Sequence, residues 1–399
     1  MAAARERADT ARRADVGGSP PSPVTARGLL LRAAAMADPG EAAGLALDAV
    51  DFPRLFDLAE RHRVVALLHR FLATAPLPAE ARAELRARNR ADAHRGLALA
   101  AELRRLLAAL EGAGVEALAY KGPALAMQAY GDLALRAFVD LDLLVREGDV
   151  PRALEALDEA GYAPALALSP AQARHFGRVD GDFPLLHRAT GTLVELHARI
   201  SSERFCMPIG TEGLMRRARA VPVGGGAVRT LGDDDLLLVL CVHGAKHRWK
   251  RLEWLAALAA LLRAGRGDAE ATLALAAGAR ARRTVLLGLA LARRLLGAPL
   301  PEAVARAIEE DRRLPRLLAE AEGRMFDEEA GEGEETAANL AFNFRARDGF
   351  ADRARYAARW LFAPSPEDWR WARLPDALFP LYRVLRPVRL LLRHGPGGR

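Results

Sequence analysis

Two carboxylates stand inside an otherwise apolar segment of this 399-residue chain. The segment Phe138-Val-Asp-Leu-Asp-Leu-Leu-Val145 is typical of a strand, in which Asp140 and Asp142 project from the same face about 7 Å apart. Like charges at that spacing are unfavourable unless a positive charge lies between them. A divalent cation would supply it, because carboxylate oxygens are the ligands that Mg²⁺ prefers. The alternative is that one aspartate pairs with an arginine such as Arg136 and the other lies at the exposed end of the strand.

A third carboxylate favours the metal. Glu195 lies inside a second mostly apolar strand, Thr192-Leu-Val-Glu-Leu-His-Ala-Arg199, with His197 on the same face two residues later. Acidic residues are rarely buried unless they are paired or ligated. Placed beside Asp140 and Asp142, Glu195 would complete a cluster able to hold two Mg²⁺ ions about 4 Å apart. The alternative places Glu195 on the surface face of an edge strand.

Lys121 and Gly122 precede the two aspartates at a strand-to-helix junction. Glycine allows close backbone approach, Pro123 suits the first helical turn, and the free N–H groups of a helix N-terminus bind phosphate. Lys121 would add a point charge for a triphosphate. The junction therefore predicts a phosphate-binding turn, and Arg136 is a further cation close to the aspartates in the sequence.

Lysine is rare in the chain, which draws attention to the positions that have it. Of 58 basic residues only three are lysine: Lys121, Lys246 and Lys250. The last two belong to a cluster of basic residues predicted to share a helical face: His243, Lys246, His247, Arg248, Lys250 and Arg251. We predict that this face approaches phosphate groups or an acceptor, with a solvated helix end as the alternative. The spacing of the two histidines is that of zinc peptidases, but Gly244 stands where those enzymes have glutamate, so zinc chemistry is not expected.

Helical and strand-like patterns alternate only in the middle of the chain. Helical periodicity covers residues 25–113 and 233–392, the latter interrupted at 327–335 and 364–366. Between them the patterns predict strands at 115–120, 137–145, 176–188 and 192–200, helices at 123–130 and 150–160, and a hairpin of 221–223 and 227–230 across a glycine triplet. The predicted fold class is α+β, with a small mixed β-sheet core embedded in mostly helical N- and C-terminal parts.

These changes of pattern predict the domain organisation. We expect a disordered tail at 1–27, a helical N-terminal part at 28–113, an α/β core at 114–231, a helical C-terminal domain at 232–392 and a tail at 393–399. Between residues 378 and 392, three arginines share a helical face: Arg383, Arg386 and Arg389. This spacing favours packing on the preceding helices over a helix that lies on a membrane surface.

Composition excludes several classes of protein. The net charge of +7 would ordinarily indicate nucleic-acid binding, but the arginines are scattered and no basic stripe is interleaved with aromatic residues, so no nucleic-acid partner is expected. Cys206 and Cys241 are too few for a disulfide framework and lack zinc-ligand spacing, which favours the cytoplasm. The sequence has no run of eighteen apolar residues and no apolar segment in its first 27 residues, so neither a membrane span nor a secretory signal is expected.

Taken together, these motifs resemble the DNA polymerase β-like nucleotidyltransferase superfamily. More narrowly, the chain is similar to a bacterial family of uncharacterised nucleotidyltransferases, in the segments Tyr120-Lys-Gly122, Asp140-Leu-Asp-Leu-Leu-Val145, Glu195-Leu-His197 and His243-Gly-Ala-Lys-His-Arg-Trp-Lys-Arg-Leu-Glu-Trp254. The resemblance extends from about residue 25 to residue 392. Two features depart from the pattern. The wider superfamily has Gly-Ser or Gly-Gly at Lys121-Gly122, and relatives often carry an aspartate near Ala257.

The resemblance implies an enzyme, a nucleotidyltransferase that binds ATP or another nucleoside triphosphate with two Mg²⁺ ions. The implied catalytic and metal-binding residues are Asp140, Asp142 and Glu195, and the implied nucleotide-binding residues are Lys121, Gly122, Arg136, His197 and Lys246. A nucleoside monophosphate would pass to a hydroxyl-bearing acceptor, a small molecule, peptide or protein that the sequence does not identify. The alternative is a catalytically silent nucleotide-binding or scaffold protein of a biosynthetic cluster.

Overall fold

Seven short strands form the β structure of the described residues: β1 Ala117–Ala119, β2 Asp140–Val145, β3 Tyr162–Pro164, β4 Asp182–His187, β5 Leu193–His197, β6 Arg219–Val223 and β7 Gly226–Thr230. These bounds come from a computed structural model that describes residues 24–327 and 335–394. Five strands make a mixed sheet in the order β1-β2-β5-β4-β3, in which β2 and β5 are parallel and the other neighbours antiparallel. Strands β6 and β7 form the predicted hairpin.

Helices precede, interrupt and follow the strands. Before the sheet lie α1 Ala26–Ala34, α2 Phe52–Arg61, α3 Val65–Phe71 and α4 Ala79–Gly112. Among the strands lie α5 Gly122–Tyr130, α6 Val150–Glu159, α7 Pro170–Val179 and α8 Thr211–Arg216. After the hairpin come α9 Asp233–Lys246, α10 Leu252–Arg263, α11 Ala269–Gly278, α12 Arg282–Leu296, α13 Glu302–Glu310, α14 Leu314–Met325, α15 Glu335–Arg345, α16 Phe350–Phe362, α17 Pro366–Trp371 and α18 Tyr382–His394. The arrangement confirms the predicted α+β fold.

Strand β2 is buried on both faces of the sheet. Alternation places Leu141, Leu143 and Val145 on one face, where they pack with apolar residues of α4 and α6. Leu144, on the opposite face, belongs to a second cluster that contains most of the helical residues. Asp140 and Asp142 share the face of Leu144 by the same alternation, so the aspartates are directed toward the helices that follow the hairpin.

The N-terminal helices pack against these later helices in one continuous apolar cluster. Helix α1 contacts both α10 and α12. The turn after α2 is also tied to the start of α10, because the backbone N–H of Glu253 donates to the carbonyl of His62 over 3.2 Å and that of Leu252 donates to His62 Nδ1 over 3.3 Å. This connection brings His62, from the N-terminal helices, next to Leu252 and Glu253 at the start of α10.

One predicted strand was partly wrong. Residues 176–179 belong to α7, and the strand begins at Asp182. Ser169 is the N-cap of this helix: its hydroxyl accepts the N–H of Gln172 while the Gln172 side chain accepts the N–H of Ser169, a reciprocal capping box. The Ser-Pro-Ala-Gln pattern carried this signal. Strand β2 also begins three residues later than predicted, at Asp140, and β5 ends at His197.

The last helices pack inward through arginine. Asp368 accepts hydrogen bonds from Arg386 Nη1 over 2.7 Å and from Arg389 Nε over 2.5 Å, and all three side chains are buried. Arg383, the third arginine of the predicted face, stays exposed. Among the described residues no helix is long and apolar enough to cross a membrane. The tails predicted at 1–27 and 393–399 lie outside the described residues, except that 24–25 precede α1, 26–27 begin it and 393–394 end α18.

Candidate active site

A cavity of about 310 Å³ lies between the aspartate-bearing face of the sheet, helices α9 and α10, and the turn after α2. It collects predicted residues from distant parts of the sequence: Lys121, Arg136, Asp140, Asp142, Glu195, His197 and Lys246 all line it. Gly122 is not among the lining residues but follows Lys121 directly in the chain. Its φ of 52° is in the left-handed region that favours glycine, and a Cβ at this position would lie 3.5 Å from the backbone carbonyl oxygen of Asp140.

The parallel pairing of β2 and β5 creates the acidic centre. Asp142 is opposite Glu195 in the ladder, and Leu144 is opposite His197. His197 Nε2 lies 3.3 Å from Asp142 Oδ1 and 3.4 Å from Glu195 Oε2. One ligand atom from each of Asp142, Glu195 and His197 lies within 4.8 Å of the others, so the three can share a cation.

Asp140 stands at the edge of this centre. It begins β2 opposite Leu193 and lines the cavity, but it is not one of the three residues whose ligand atoms come together. Burial, and then repulsion from Asp142, raise its pKa. A second positive charge near Asp140 and Asp142 would relieve that repulsion.

The charged groups of the acidic centre stabilise one another's ionised forms. Burial acts to raise the pKa of Asp142, but Lys121 and His197 outweigh it, and the pKa is lowered. The close contact with His197 lowers the pKa of Glu195 despite burial. Burial acts to lower the pKa of His197, yet the two carboxylates outweigh burial and raise it. The structure therefore favours ionised carboxylates at Asp142 and Glu195.

Lys121 supplies a positive charge that contacts Asp142 directly. Its Nζ lies 2.6 Å from Asp142 Oδ1. The alternative pairing of an aspartate with Arg136 is wrong, because Arg136 Nη2 instead lies 3.4 Å from Glu253 Oε2. Lys121 therefore stands where the strand-to-helix junction predicted a cation, and its closest partner is a carboxylate.

The predicted basic face is interrupted. Helix α9 ends at Lys246, and the chain turns through Arg248 and Trp249, both with positive φ. His243 and His247 face the cavity beside Trp254, with ring centroids 4.9 and 5.4 Å from it. Burial lowers the pKa of His243 well below its usual value and that of His247 to about 3, so both imidazoles are neutral.

Gly244 has a packing role. A Cβ at this position would lie 2.5 Å from the indole ring of Trp249, which is fully buried against the helix. Close packing of Trp249 therefore explains why glycine occupies the position at which zinc peptidases have glutamate. Lys246, one turn further, lies over the Phe205 ring with Nζ 5.9 Å from its centroid.

Sequence reasoning missed three charged residues of the cavity: Arg63, Asp182 and Glu253. Asp182 is opposite His197 across β4 and β5, and its Oδ1 is buried without a hydrogen-bond partner among the described residues. Nothing in the sequence around Arg63 indicates a site. Glu253 carried a signal, since it is an acid at the start of the apolar helix α10, and it is only 3% exposed.

The donor groups of the acidic centre fit a divalent cation. His197 Nε2 is buried at contact distance from two carboxylates, yet it makes no aligned hydrogen bond among the described residues. Carboxylate oxygens suit Mg²⁺, and carboxylates with one imidazole also suit Mn²⁺. Orphaned buried polar atoms are rare in folded proteins unless a ligand completes them.

Comparison with known proteins identifies a family. The model of a family described as "Uncharacterised nucleotidyltransferase" matches residues 48–297. That range contains every predicted site residue and also Arg63, Asp182 and Glu253. No curated protein and no solved structure matches the chain.

Proposed function

Because the chain belongs to the uncharacterised nucleotidyltransferase family and is accordingly a nucleotidyltransferase, we propose that it transfers a nucleoside monophosphate from a nucleoside triphosphate to the hydroxyl group of an acceptor. The proposed cofactor is Mg²⁺. The acceptor is a small molecule, a peptide or a protein. We further propose a bacterial, cytoplasmic enzyme, in which both cysteines are free, as is usual in a reducing compartment.

One observation carries the proposal. Two buried strands place Asp142 opposite Glu195, and the same cavity presents Lys121, Arg136 and Lys246. An acidic centre that binds a cation lies beside cations that bind phosphate. A metal-bound triphosphate needs both kinds of group, whereas a phosphate pocket alone would gain nothing from buried carboxylates.

The chain's own residues would divide the work. Asp140, Asp142 and Glu195 would hold the metal, with His197 beside them. When bound, Mg²⁺ neutralises charge that develops on the phosphate oxygens. Lys121, Arg136 and Lys246 would orient the triphosphate, and Gly122 lets the turn approach it.

The reaction that this arrangement supports is an in-line displacement. The acceptor oxygen forms a bond to the α-phosphorus as the bond from that phosphorus to the bridging oxygen breaks. Pyrophosphate leaves with the electron pair, and the hydroxyl proton passes to water. Burial of Asp142 and its contacts with Lys121 and His197 keep the acidic centre ordered before substrate binds, so little reorganisation is needed during reaction.

Release of pyrophosphate tests the proposal. The purified chain would be incubated with ATP, CTP, GTP or UTP, Mg²⁺ and pools of candidate acceptors, and pyrophosphate would be measured. We expect release with at least one triphosphate, which EDTA abolishes and Asp142→Asn abolishes. Binding of triphosphate without release in any acceptor pool would contradict transfer.

A further inference from the structure

Arg63 and Arg136 approach one buried carboxylate from different parts of the fold. Arg63 Nη1 lies 3.6 Å from Glu253 Oε1, and Arg136 Nη2 lies 3.4 Å from Glu253 Oε2. All three residues line the cavity. Arg251 Nη1 also lies 4.0 Å from Glu253 Oε1, and the Asp140 carboxylate acts electrostatically on Arg63 and Glu253. Among the described residues, three guanidinium groups therefore face two carboxylates. Buried charge of one sign calls for an ion of the other.

The polar atoms of this group are incompletely satisfied. Arg136 is 7% exposed, and its Nε and Nη1 have no hydrogen-bond partner among the described residues. Both carboxylate oxygens of Glu253 are likewise buried without one. A guanidinium has a planar fork of donors that matches phosphate oxygens. An anion bound here would accept hydrogen bonds from the Arg136 donors that Glu253 leaves unused.

Arg63 itself has an unusual backbone conformation. Arg63 has a φ of 55° and follows the C-cap of α2, where its N–H donates to Glu60 and the N–H of Val64 donates to Ala59. This is a Schellman turn, and its left-handed position is ordinarily glycine. A bulky residue there is conformationally costly. Met36 and Arg280 occupy equivalent left-handed positions outside the cavity, so the strain alone assigns no function. At Arg63 the turn places the side chain in the cavity, with Nη1 facing Glu253.

The start of α10 fixes the arrangement. Because the Glu253 N–H donates to the carbonyl of His62, the carboxylate and the Arg63 turn are held together through the backbone. Arg136 approaches from the segment before β2, which also carries Asp140. The arginines are thereby connected to the acidic centre by rigid elements.

We propose that Arg63 and Arg136, positioned by Glu253, form a subsite for a polyphosphate chain, and that it takes the terminal phosphates of the nucleoside triphosphate. The inference rests on the proposed function, which it deepens by separating the phosphate site from the metal site. Asp140, Asp142 and Glu195 would hold the metal at the α-phosphate of the triphosphate. Arg63 and Arg136 would bind its terminal phosphates. Glu253 is a positioning residue, since it acts through the arginines.

Calorimetric titration with inorganic tripolyphosphate, in EDTA and without divalent metal, tests the subsite apart from the metal and the reaction. We expect the full chain to bind tripolyphosphate, and Arg63→Gly and Arg136→Lys each to bind it at least about tenfold more weakly, the loss of one charge-assisted hydrogen bond. Arg216→Gln, at an exposed arginine outside the cavity, should bind as the unaltered chain does. Arg63→Gly should keep its unfolding temperature, because glycine suits the turn.

Two further titrations assign the phosphate. If the subsite takes the nucleotide's terminal phosphates, Arg63→Gly weakens binding of the triphosphate but leaves binding of its monophosphate unchanged. If both nucleotides bind unchanged while tripolyphosphate binding is lost, the subsite serves a phosphorylated acceptor and the assignment to the nucleotide is overturned. Failure of the unaltered chain to bind tripolyphosphate, or equal binding by Arg63→Gly, overturns the subsite itself.

The subsite and the proposed function can fail separately. If Arg63→Gly loses tripolyphosphate binding but the unaltered chain never releases pyrophosphate, the subsite is supported and the proposed transfer is rejected. Unchanged kcat/KM for pyrophosphate release in Arg63→Gly retains transfer and rejects the assignment of the subsite to the nucleotide. Glu253→Gln adds a test of positioning: a raised KM for the triphosphate with little change in kcat supports it, and an unchanged KM contradicts it.

Discussion

Asp142 of β2 and Glu195 of β5 lie directly opposite each other in a parallel ladder. Parallel neighbours require a crossover connection, so these residues are far apart in sequence yet fixed by backbone hydrogen bonds. A shift of one residue in either strand would move its carboxylate to the other face. The apolar residues that bury both faces of β2 therefore also determine the geometry of the acidic centre.

Replacing Asp142 or Asp140 tests whether these residues are metal ligands or only part of an acidic surface. We expect Asp142→Asn and Asp140→Asn each to lower Mg²⁺-dependent pyrophosphate release by at least about a hundredfold, since each removes charge that holds the cation. Asp48→Asn, at an exposed residue outside the cavity, is the matched control. Full activity in either cavity variant would reject the assigned role of that residue.

Lys121 should oppose metal binding when nucleotide is absent. Its ammonium group contacts Asp142 over 2.6 Å, so it competes with a cation for the same oxygen. We expect Lys121→Met to bind Mn²⁺ more tightly, by electron paramagnetic resonance titration, and yet to lower kcat/KM for the triphosphate by about tenfold or more. Lys246→Met, which removes a lysine without an Asp142 contact, should change Mn²⁺ affinity much less. Weaker Mn²⁺ binding in Lys121→Met would contradict competition.

The acidic centre was predictable because strand alternation is a local property. Asp140, Asp142, Glu195 and His197 could be placed on strand faces from their neighbours alone. Lys121 stood out through the rarity of lysine. The β2–β5 register was not available in this way, since it depends on which strands pair and in which direction.

Arg63 and Glu253 show what local pattern cannot supply. Arg63 lies in a helix-terminating turn without glycine, and its importance appears only when α10 packs beside that turn. Arg136 was placed near the aspartates by sequence proximity, but tertiary packing gave it Glu253 as its partner. Likewise, the predicted basic helical face ended early because Trp249 folds back onto Gly244.

Gly244→Ala should destabilise the protein, although alanine is the better helix former. The added methyl group would meet the Trp249 ring, and overpacking of a core costs about 1–3 kcal/mol. Gly323→Ala is the matched control, because nothing lies within 4 Å of a Cβ at that helical position. We expect the control to raise the free energy of unfolding by about 0.5–1 kcal/mol. Equal effects of the two substitutions in thermal unfolding would contradict the packing role.

The buried ion pairs of the C-terminal helices should make stability depend on acidity. Burial acts to raise the pKa of Asp368, but Arg386, the Ser365 backbone and Arg389 outweigh it and lower the pKa. A lowered pKa contributes stability above the unfolded value near pH 4, and this contribution is lost as pH falls through the folded pKa.

Asp368→Asn should therefore cost about 3 kcal/mol near pH 7, where it leaves buried arginines unpaired. The difference from the unaltered chain should narrow below about pH 4, as the native carboxylate becomes protonated. Denaturant unfolding at several pH values measures it. A difference that stays constant down to pH 3 would show that Asp368 contributes through shape rather than charge.

All three lysines of the chain line the same cavity. Every side-chain primary amine of the protein is consequently a reporter of that one location, and the many arginines do not react with amine-selective acylating reagents. Mass-spectrometric footprinting with a succinimidyl ester would thus read occupancy of the cavity without an engineered label. Protection of Lys121, Lys246 and Lys250 could be followed one residue at a time while candidate acceptors are screened.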